Sequence, residues 1–582
     1  MQSLIKPLLP ALLVLSLSAC ESDSDTANTT EGVTTVSQAP DNTGRTGDLP
    51  GRGNQPRFLP VSHDGLERKD IDGTVVSDDG TVIHFTVFLP DLAPDEAAPI
   101  VFQSHGYGGS RLTSLSEDGG DGEFIGNAPA EAAFFARENG AIVVSYDQRG
   151  FGESGGQVEL MNPEKEGRDF INLLDRIDSE YYEFILRTAD DLDPRVGTLG
   201  LSYGGGYQWI AGSIDDRVDA MVPLTTWYDL RYSLQPNDVP KTGWLTILQA
   251  IGIPGSEGDQ SEDIYRAFVE TFLPGVDVNE EFAQTLSRHS LRAYCEGFNQ
   301  SVGGIPKADT LLIQGVADTL FNMRESVDAF ECLRQAGRNT HLIVQRLGHI
   351  LPALEKTPGP TGFATERFLQ CGDERYETSR LIFEFVDSRL RGNPEALTLP
   401  ETCMTIEGRQ GITAENIVRG GDLFTTPDRM LQSPEVATAV LAEPELDDSG
   451  NLSAEYLERV SPSVSMDLFT ADQPLNLAGL PQVSLSVDTL SPVPPTLFLG
   501  LKVTRANDGR AILLHNQVTP IAQSGPVSVE LPGVTFPLEA GDKVSLVAYT
   551  YHPLFYYNDE ALQSTTNPTT LTNVMVRLPL LD

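Results

Sequence analysis

Gly200-Leu201-Ser202-Tyr203-Gly204 follows the apolar run Val196–Leu201 and precedes a helix-like segment. G-x-S-x-G between a strand and a helix is the pattern of a sharp turn that holds a serine hydroxyl at the strand's C-terminal edge. A hydroxyl is a poor nucleophile until a base takes its proton, and the base needs an acid to orient it and stabilise the imidazolium. Of the eight histidines, His349 stands in Leu347-Gly348-His349, just after the apolar run His341–Gln345. Asp318 follows the run Thr310–Gln314, in Gln314-Gly315-Val316-Ala317-Asp318. Asp309 precedes that run and would lie at the opposite sheet edge. The chemistry these residues can do is acyl transfer, with Ser202 as nucleophile, His349 as base and Asp318 as the orienting acid, in the chain order Ser, Asp, His.

The oxyanion of such a reaction needs fixed donors. The backbone N–H of Tyr203 is the expected first one. The second is expected from the loop His105-Gly106-Tyr107-Gly108, through the backbone or the hydroxyl of Tyr107. Asp147 and Arg149, in Asp147-Gln148-Arg149-Gly150-Phe151-Gly152-Glu153-Ser154, are expected to pair and shape the turn's surroundings. His341 opens a strand and reads as structural, and His289 lies on an apolar helical stripe and reads as core. His63, His84, His515 and His552 read as surface or packing residues.

The elements that must carry these residues form an α/β sheet. Thr74–Ser77 and Thr81–Leu89 flank an Asp78-Asp79-Gly80 turn and read as an antiparallel hairpin. Pro99–Gln103, Ala141–Tyr146, Val196–Leu201, Ala220–Leu224, Thr310–Gln314 and His341–Gln345 are short apolar runs suited to buried parallel strands, with helical stretches such as Glu164–Ile177 between most of them. Between Thr226 and Lys307 the alternation lapses. Ser261 resembles an N-cap, followed by Glu262, Asp263 and a stripe of Ile264, Phe268 and Phe272, and Phe282, Leu286 and Ala293 make a second stripe. This stretch, about 227–306, is expected to form a helical cap over the site, with Trp227, Tyr228, Tyr232 and Trp244 as candidates to line a pocket. Glu377–Leu390 reads as the last helix, stopped by Gly392 and Pro394. Beyond Cys403 the period changes to two. Val483, Leu485 and Val487 alternate, as do Leu497, Leu499, Leu501 and Val503, and so do the runs Val527–Leu531 and Val544–Ala548, which indicates an antiparallel sandwich. The domains expected are a leader over 1–20, a linker over 21–60, a catalytic α/β domain over 61–405 and a β-sandwich over 406–582.

The chain has 582 residues, with 83 Asp+Glu against 40 Lys+Arg and a formal charge of −43. That balance argues against a nucleic-acid binder, which needs a basic surface, and against charge-driven attachment to anionic lipid. The N-terminus MQSLIKPLLPALLVLSLSAC has a Lys, an apolar run, small residues and then Cys20, the order of a removable export signal. Leu17-Ser18-Ala19-Cys20 resembles a bacterial lipoprotein box, which implies lipidation of Cys20, export and anchoring to the envelope. Glu21 after the Cys tilts the expectation toward the outer membrane. Residues 21–57, rich in Ser, Thr, Asp, Asn and Gly, read as a flexible tether. Export makes two disulfides plausible among Cys295, Cys332, Cys371 and Cys403. Cys295–Cys332 with Cys371–Cys403 is the favoured pairing because each closes the shorter loop. No cysteine pair has zinc-site spacing, so no metal is expected. The acidic stretches Glu117–Glu123 and Asp447–Asn451 lack a calcium-loop template and read as solvated loops.

Together these features resemble the X-Pro dipeptidyl-peptidase and cocaine-esterase (CocE/NonD) group of serine hydrolases over roughly residues 65–582. The matching pieces are Asp147–Gly155 as D-x-R-G-x-G-x-S-G, Gly200–Gly205, Gly315–Asp318, Gly348-His349, and Leu538-Glu539-Ala540-Gly541-Asp542 in the sandwich. The resemblance implies an α/β-hydrolase sheet with a helical cap followed by a jelly-roll sandwich, and a tyrosine hydroxyl on the oxyanion. Tyr107 matches that tyrosine by position, although it stands in H-G-Y-G-G rather than the more usual P-Y, so side-chain and backbone donation both stay open. It implies hydrolysis of a small ester or peptide through an acyl-enzyme with no cofactor. A broad ester or amide hydrolase is the first expectation and an X-Pro dipeptidyl-peptidase the second. A surface-binding lipoprotein with an inactive hydrolase body is the third. Oligomeric state is not legible in the sequence.

Overall fold

The apolar runs become strands because helices cover the sheet on both faces. In the computed structural model, which describes residues 57–117, 119–120, 127–273, 278–351, 365–431, 463–490, 494–555 and 568–581 with a few residues between 453 and 461, ten strands form one sheet. They are β1 (Lys69–Val76), β2 (Val82–Leu89), β3 (Ile100–Ser104), β4 (Ile142–Tyr146), β5 (Val196–Leu201), β6 (Val218–Leu224), β7 (Asp309–Gly315), β8 (Thr340–Gln345), β9 (Thr402–Met404) and β10 (Ile412–Ala414). Their spatial order is β1-β2-β4-β3-β5-β6-β7-β8-β9-β10. β1 pairs antiparallel with β2 and β2 with β4, the run from β4 to β9 is parallel, and β10 returns antiparallel. Strand residues alternate between two cores. Ile100, Phe102, Ile142 and Val144 enter one, while Val101 and Val143 enter the other. A strand buried on both faces must be apolar at every position, which is why these segments read as continuous rather than alternating runs.

The crossovers carry helices α1 (Asn127–Glu138), α2 (Glu166–Glu180) and α3 (Tyr203–Ile214). After β6 the chain makes the cap: α4 (Leu230–Leu234), α5 (Thr242–Gly255), α6 (Glu262–Thr271), α7 (Glu280–Arg288) and α8 (Leu291–Cys295). Ser261 occupies the N-cap position of α6 without a side-chain capping bond, whereas Asn279 caps α7 through the N–H groups of Glu281 and Phe282. The second expected stripe is split: the chain leaves the helix at His289 and Ser290, and Ala293 belongs to α8. α9 (Met323–Gln335) and α10 (Thr378–Leu390) complete the layer.

The described residues between 422 and 581 include antiparallel sheets whose strands include Gln482–Thr489, Leu497–Thr504, Gly525–Glu530, Lys543–Tyr549 and Thr569–Leu578. Val483, Leu485 and Val487 of one sheet and Leu499, Leu501 and Val503 of another share one core, as period-two strands facing each other must. Asp542 of the Gly541-Asp542 turn is buried and accepts from Arg505 and from the N–H groups of Ala506 and Glu539, joining two turns of the sandwich.

Both expected disulfides are present. Cys295–Cys332 ties α8 of the cap to α9, and Cys371–Cys403 ties the hairpin Phe368–Glu377 to β9. The expected leader, Cys20 and the tether up to residue 56 lie outside the described residues, as do most of the acidic loop 117–123 and the whole of 447–451.

Candidate active site

The site is built at one sheet edge because parallel strands all end there. His105 follows β3, Asp147 follows β4, Ser202 follows β5, Asp318 follows β7 and His349 follows β8. Ser202 takes φ 61° and ψ −117°, a conformation a non-glycine residue adopts only when its surroundings impose it. They do so here. The Ser202 N–H donates to Leu224 O (3.0 Å), and its carbonyl accepts from the N–H groups of Gly205 and Gly206 and from Thr226 Oγ1. The flanking glycines permit the close approach: a Cβ on Gly204 would lie 2.3 Å from Ser104 O, and one on Gly200 2.3 Å from Gly204 O.

Asp318 and His349 are both buried and joined. His349 Nδ1 lies 2.6 Å from Asp318 Oδ2, which also accepts the His349 N–H at 2.9 Å. Asp318 Oδ1 accepts from Leu320 N (3.0 Å) and Phe321 N (2.7 Å). Four donors, three N–H groups of the main chain and the His349 ring, thus converge on one carboxylate. The Phe321 ring stands edge-on to the His349 ring at 5.1 Å and also faces Trp227 at 5.5 Å. Asp309 opens β7 at the other edge, where it pairs with Arg389.

The loop after β3 is locked by His105. Its Nε2 accepts the Gln148 N–H (3.0 Å), so Nδ1 carries the proton and donates to Gly106 O at 2.8 Å. Burial holds this imidazole below its usual pKa, consistent with the neutral tautomer. Tyr107 then packs edge-on between the rings of Phe151 (5.2 Å) and Tyr203 (5.3 Å). Burial pushes its phenol above the ordinary range, so it remains a hydrogen-bond donor. Asp147 does not pair with Arg149. Its carboxylate takes the Arg111 N–H (2.6 Å), the Arg111 guanidinium (2.5 Å) and the Glu153 N–H (3.0 Å). Arg149 turns the other way, bidentate on Asp169 and bonded to Asp79. The reason is placement: Asp147 lies beside the end of the loop after β3, where Arg111 is within reach.

Residues 79–351 match the family model of the X-Pro dipeptidyl-peptidase (S15 family). Over that segment, just under half of its length, the chain is similar to the S15 family, and the segment is a serine-type hydrolase domain. Solved structures share the fold at low identity. An aminopeptidase from a marine-sediment Thaumarchaeota archaeon is 12% identical with a TM-score of 0.58, over 92% of this chain and 99% of that one. A CocE/NonD family hydrolase from Staphylococcus aureus is 13% identical at 0.54, over 93% and 99%. An alpha-amino acid ester hydrolase is 14% identical at 0.54, over 92% and 99%. A curated relative, an uncharacterized 31.7 kDa protein of the traX-finO intergenic region of Escherichia coli, is 28% identical over 131 residues. That match covers 22% of this chain and 38% of the relative, so the chain spans well under half of that protein's length.

Above the Ser202 turn lies a pocket that Ser202, Tyr107, Tyr203, Trp227 and Phe321 line from below and cap residues such as Leu248, Ile264 and Phe282 line from above. Its described lining is apolar but for Ser202, the ring hydroxyls and Trp227 N–H, Gln235, Gln249 and Thr271, and none of it is charged. Of the four aromatic candidates only Trp227 lines it. Tyr232 instead bonds Asn322 and stacks under Arg324, while Tyr228 takes its place outside the lining. Trp244 is fully buried, and its Nε1 donates to Thr319 Oγ1 (3.0 Å). Sequence reasoning missed α5 altogether, and with it Leu245, Leu248 and Gln249. It also missed Leu160, which lines the pocket with φ 57° while His289 Nδ1 bonds its carbonyl.

It missed Lys241 too. This side chain is buried, and Nζ donates to Thr319 O (3.0 Å) and Leu320 O (2.8 Å), the carbonyls just after Asp318. Burial pushes its pKa down to about 8, while Glu325 and Asp318 act in the opposite direction. The folded state therefore disfavours the charged lysine relative to the unfolded chain. That penalty is complete below pH 8 and is relieved as pH rises through the folded pKa. The stability of the wild type relative to Lys241→Met is expected to rise by about 2 kcal/mol between pH 7 and pH 9.5. Urea denaturation of both proteins at the two pH values measures it, and a pH-independent gap would refute the buried-cation account.

Proposed function

We propose that the protein hydrolyses neutral esters with apolar acyl groups, using Ser202 as nucleophile, His349 as general base and acid, and Asp318 as the group that orients His349. The observation that carries this reading is the Asp318–His349 pair, bonded at 2.6 Å and standing at the same sheet edge as the strained Ser202 turn beneath an apolar pocket. His349 takes the Ser202 proton as Oγ attacks the carbonyl carbon. The Tyr203 N–H and the Tyr107 loop receive the negative oxygen. Collapse expels the alcohol, which leaves with the proton from His349, and the acyl group stays on Ser202. Water then attacks the acyl-enzyme, again losing its proton to His349, and Ser202 is released with the carboxylic acid.

An X-Pro dipeptidyl-peptidase is the second reading, favoured by the family match. Such a substrate brings a cationic amine into the pocket, and a buried ammonium needs a carboxylate partner. The absence of any Asp or Glu among the described lining residues favours the neutral ester. The test is to measure kcat/KM side by side on p-nitrophenyl butyrate and Gly-Pro-p-nitroanilide, with fluorophosphonate labelling mapped by mass spectrometry. The ester is expected to be preferred by at least about 10³-fold, a differential of roughly 4 kcal/mol for a buried amine left unpaired. Comparable or faster anilide turnover would make the protein a peptidase. No label on Ser202 and no turnover would favour a binding role. We further propose an envelope lipoprotein anchored through Cys20 (most simply on the outer membrane), for which Cys20→Ala would move the protein out of the membrane fraction.

A further inference from the structure

The turn that carries Asp318 is held by side chains that do not come from the α/β sheet. On its N–H side the turn is tied to the neighbouring strand: Val316 N donates to Gln345 O (2.8 Å) and Ala317 N to Arg346 O (3.0 Å). On its carbonyl side the partners are foreign. Lys241 of the cap takes Thr319 O and Leu320 O. Gln517 of the sandwich takes the other two. Its Nε2 donates to Val316 O at 2.6 Å and to Asp318 O at 3.0 Å, the carbonyls on either side of Ala317.

Gln517 is well placed to be rigid. It is buried, and it follows the tight turn Leu514–Asn516, where His515 and Asn516 both take positive φ. His515 Nε2 accepts the Thr535 N–H, which pins the turn to the rest of the sandwich. Both hydrogens of one amide are therefore spent on two main-chain carbonyls, and the amide cannot swing without losing both of these bonds at a buried position.

We infer that Gln517 is a positioning residue for catalysis: from the sandwich, it sets the Asp318 turn so that the carboxylate meets His349 Nδ1. This rests on the triad reading above. If Asp318 drifts, the imidazolium formed during turnover loses stabilisation, while the pocket over Ser202 keeps its shape. The effect should fall on kcat rather than on KM.

The experiment uses the full-length protein, with active sites counted by fluorophosphonate titration. Gln517→Met keeps the chain length and removes both donors. It is expected to lower kcat per titrated site by about 10- to 100-fold, the scale of an ångström-level misplacement, with KM changed less than about threefold. Gln517→Asn, which keeps the amide but withdraws it by one methylene, should give a smaller loss in the same direction and serves if the Met variant does not fold. Wild-type kcat in folded variants, or a loss that falls on KM as much as on kcat, would reduce Gln517 to a packing residue and overturn the inference. A wild type that takes no label at Ser202 would instead overturn the triad reading, so the two failures are separable.

Discussion

Ser202→Ala is expected to lower kcat on p-nitrophenyl butyrate by about 10⁶-fold, leaving a residual rate about 10³- to 10⁴-fold above that in water. The variant removes the attacking oxygen and nothing else that the substrate meets. Trp227, Phe321 and the cap still enclose the acyl group, and the Tyr107 loop stays locked by His105. KM should therefore change little. Alanine at φ 61° meets the same backbone strain as serine, and the bonds that impose the turn are made by the main chain of residue 202 and not by its hydroxyl. Fold and thermal stability should be preserved, so the rate loss is interpretable. Initial rates on titrated, repurified protein decide it. More than one per cent of wild-type kcat would mean that another residue attacks the ester.

Asp318→Asn is expected to lower kcat by about 10⁴-fold. The carboxylate accepts from His349 Nδ1, His349 N, Leu320 N and Phe321 N. An amide offers one oxygen to these donors and turns its NH₂ toward the others. With the oxygen kept on the Leu320 and Phe321 N–H groups, the NH₂ faces His349 and forces Nδ1 to become an acceptor. The imidazole then carries its proton on Nε2 and cannot take the one on Ser202. The same mismatch leaves a buried N–H facing an N–H, at a cost of about 1–3 kcal/mol in stability. The two effects separate: denaturation reads the second, and the rate of fluorophosphonate labelling by folded protein reads the first. A variant that labels at the wild-type rate would remove Asp318 from the mechanism.

Much of the architecture was written in local pattern. β3 to β8 were legible because a strand buried on both faces must be apolar throughout, and each apolar run stands alone between polar stretches. Ser202 was legible because the steric needs of the turn fix glycines two residues to either side. Asp318 and His349 followed from position after the right strands, since parallel strands deliver their C-terminal ends to one edge. The disulfides followed from loop length.

Other features left no such trace. α5 is apolar around much of its circumference and carries Gly243, Gly252, Pro254 and Gly255, so it shows no stripe and reads as a breaker-rich segment, yet it roofs the pocket. Asp147 was matched to Arg149 because the two are neighbours in sequence. In space Arg111, 36 residues away, reaches it. Lys241 and Gln517 had no signal at all. Their partners are main-chain carbonyls, 78 and 79 residues from the lysine and 201 and 199 from the glutamine, and a carbonyl is present at every position in a chain. The sequence by itself determined the strands, the sharp turn at Ser202 and the sheet edge at which Ser202, Asp318 and His349 stand, since these depend on short-range sterics and on burial periodicity. Which side chains hold those groups in register was decided only by tertiary structure, because a bond to an anonymous carbonyl becomes specific only when the fold brings one carbonyl, and not its neighbours, within 3 Å.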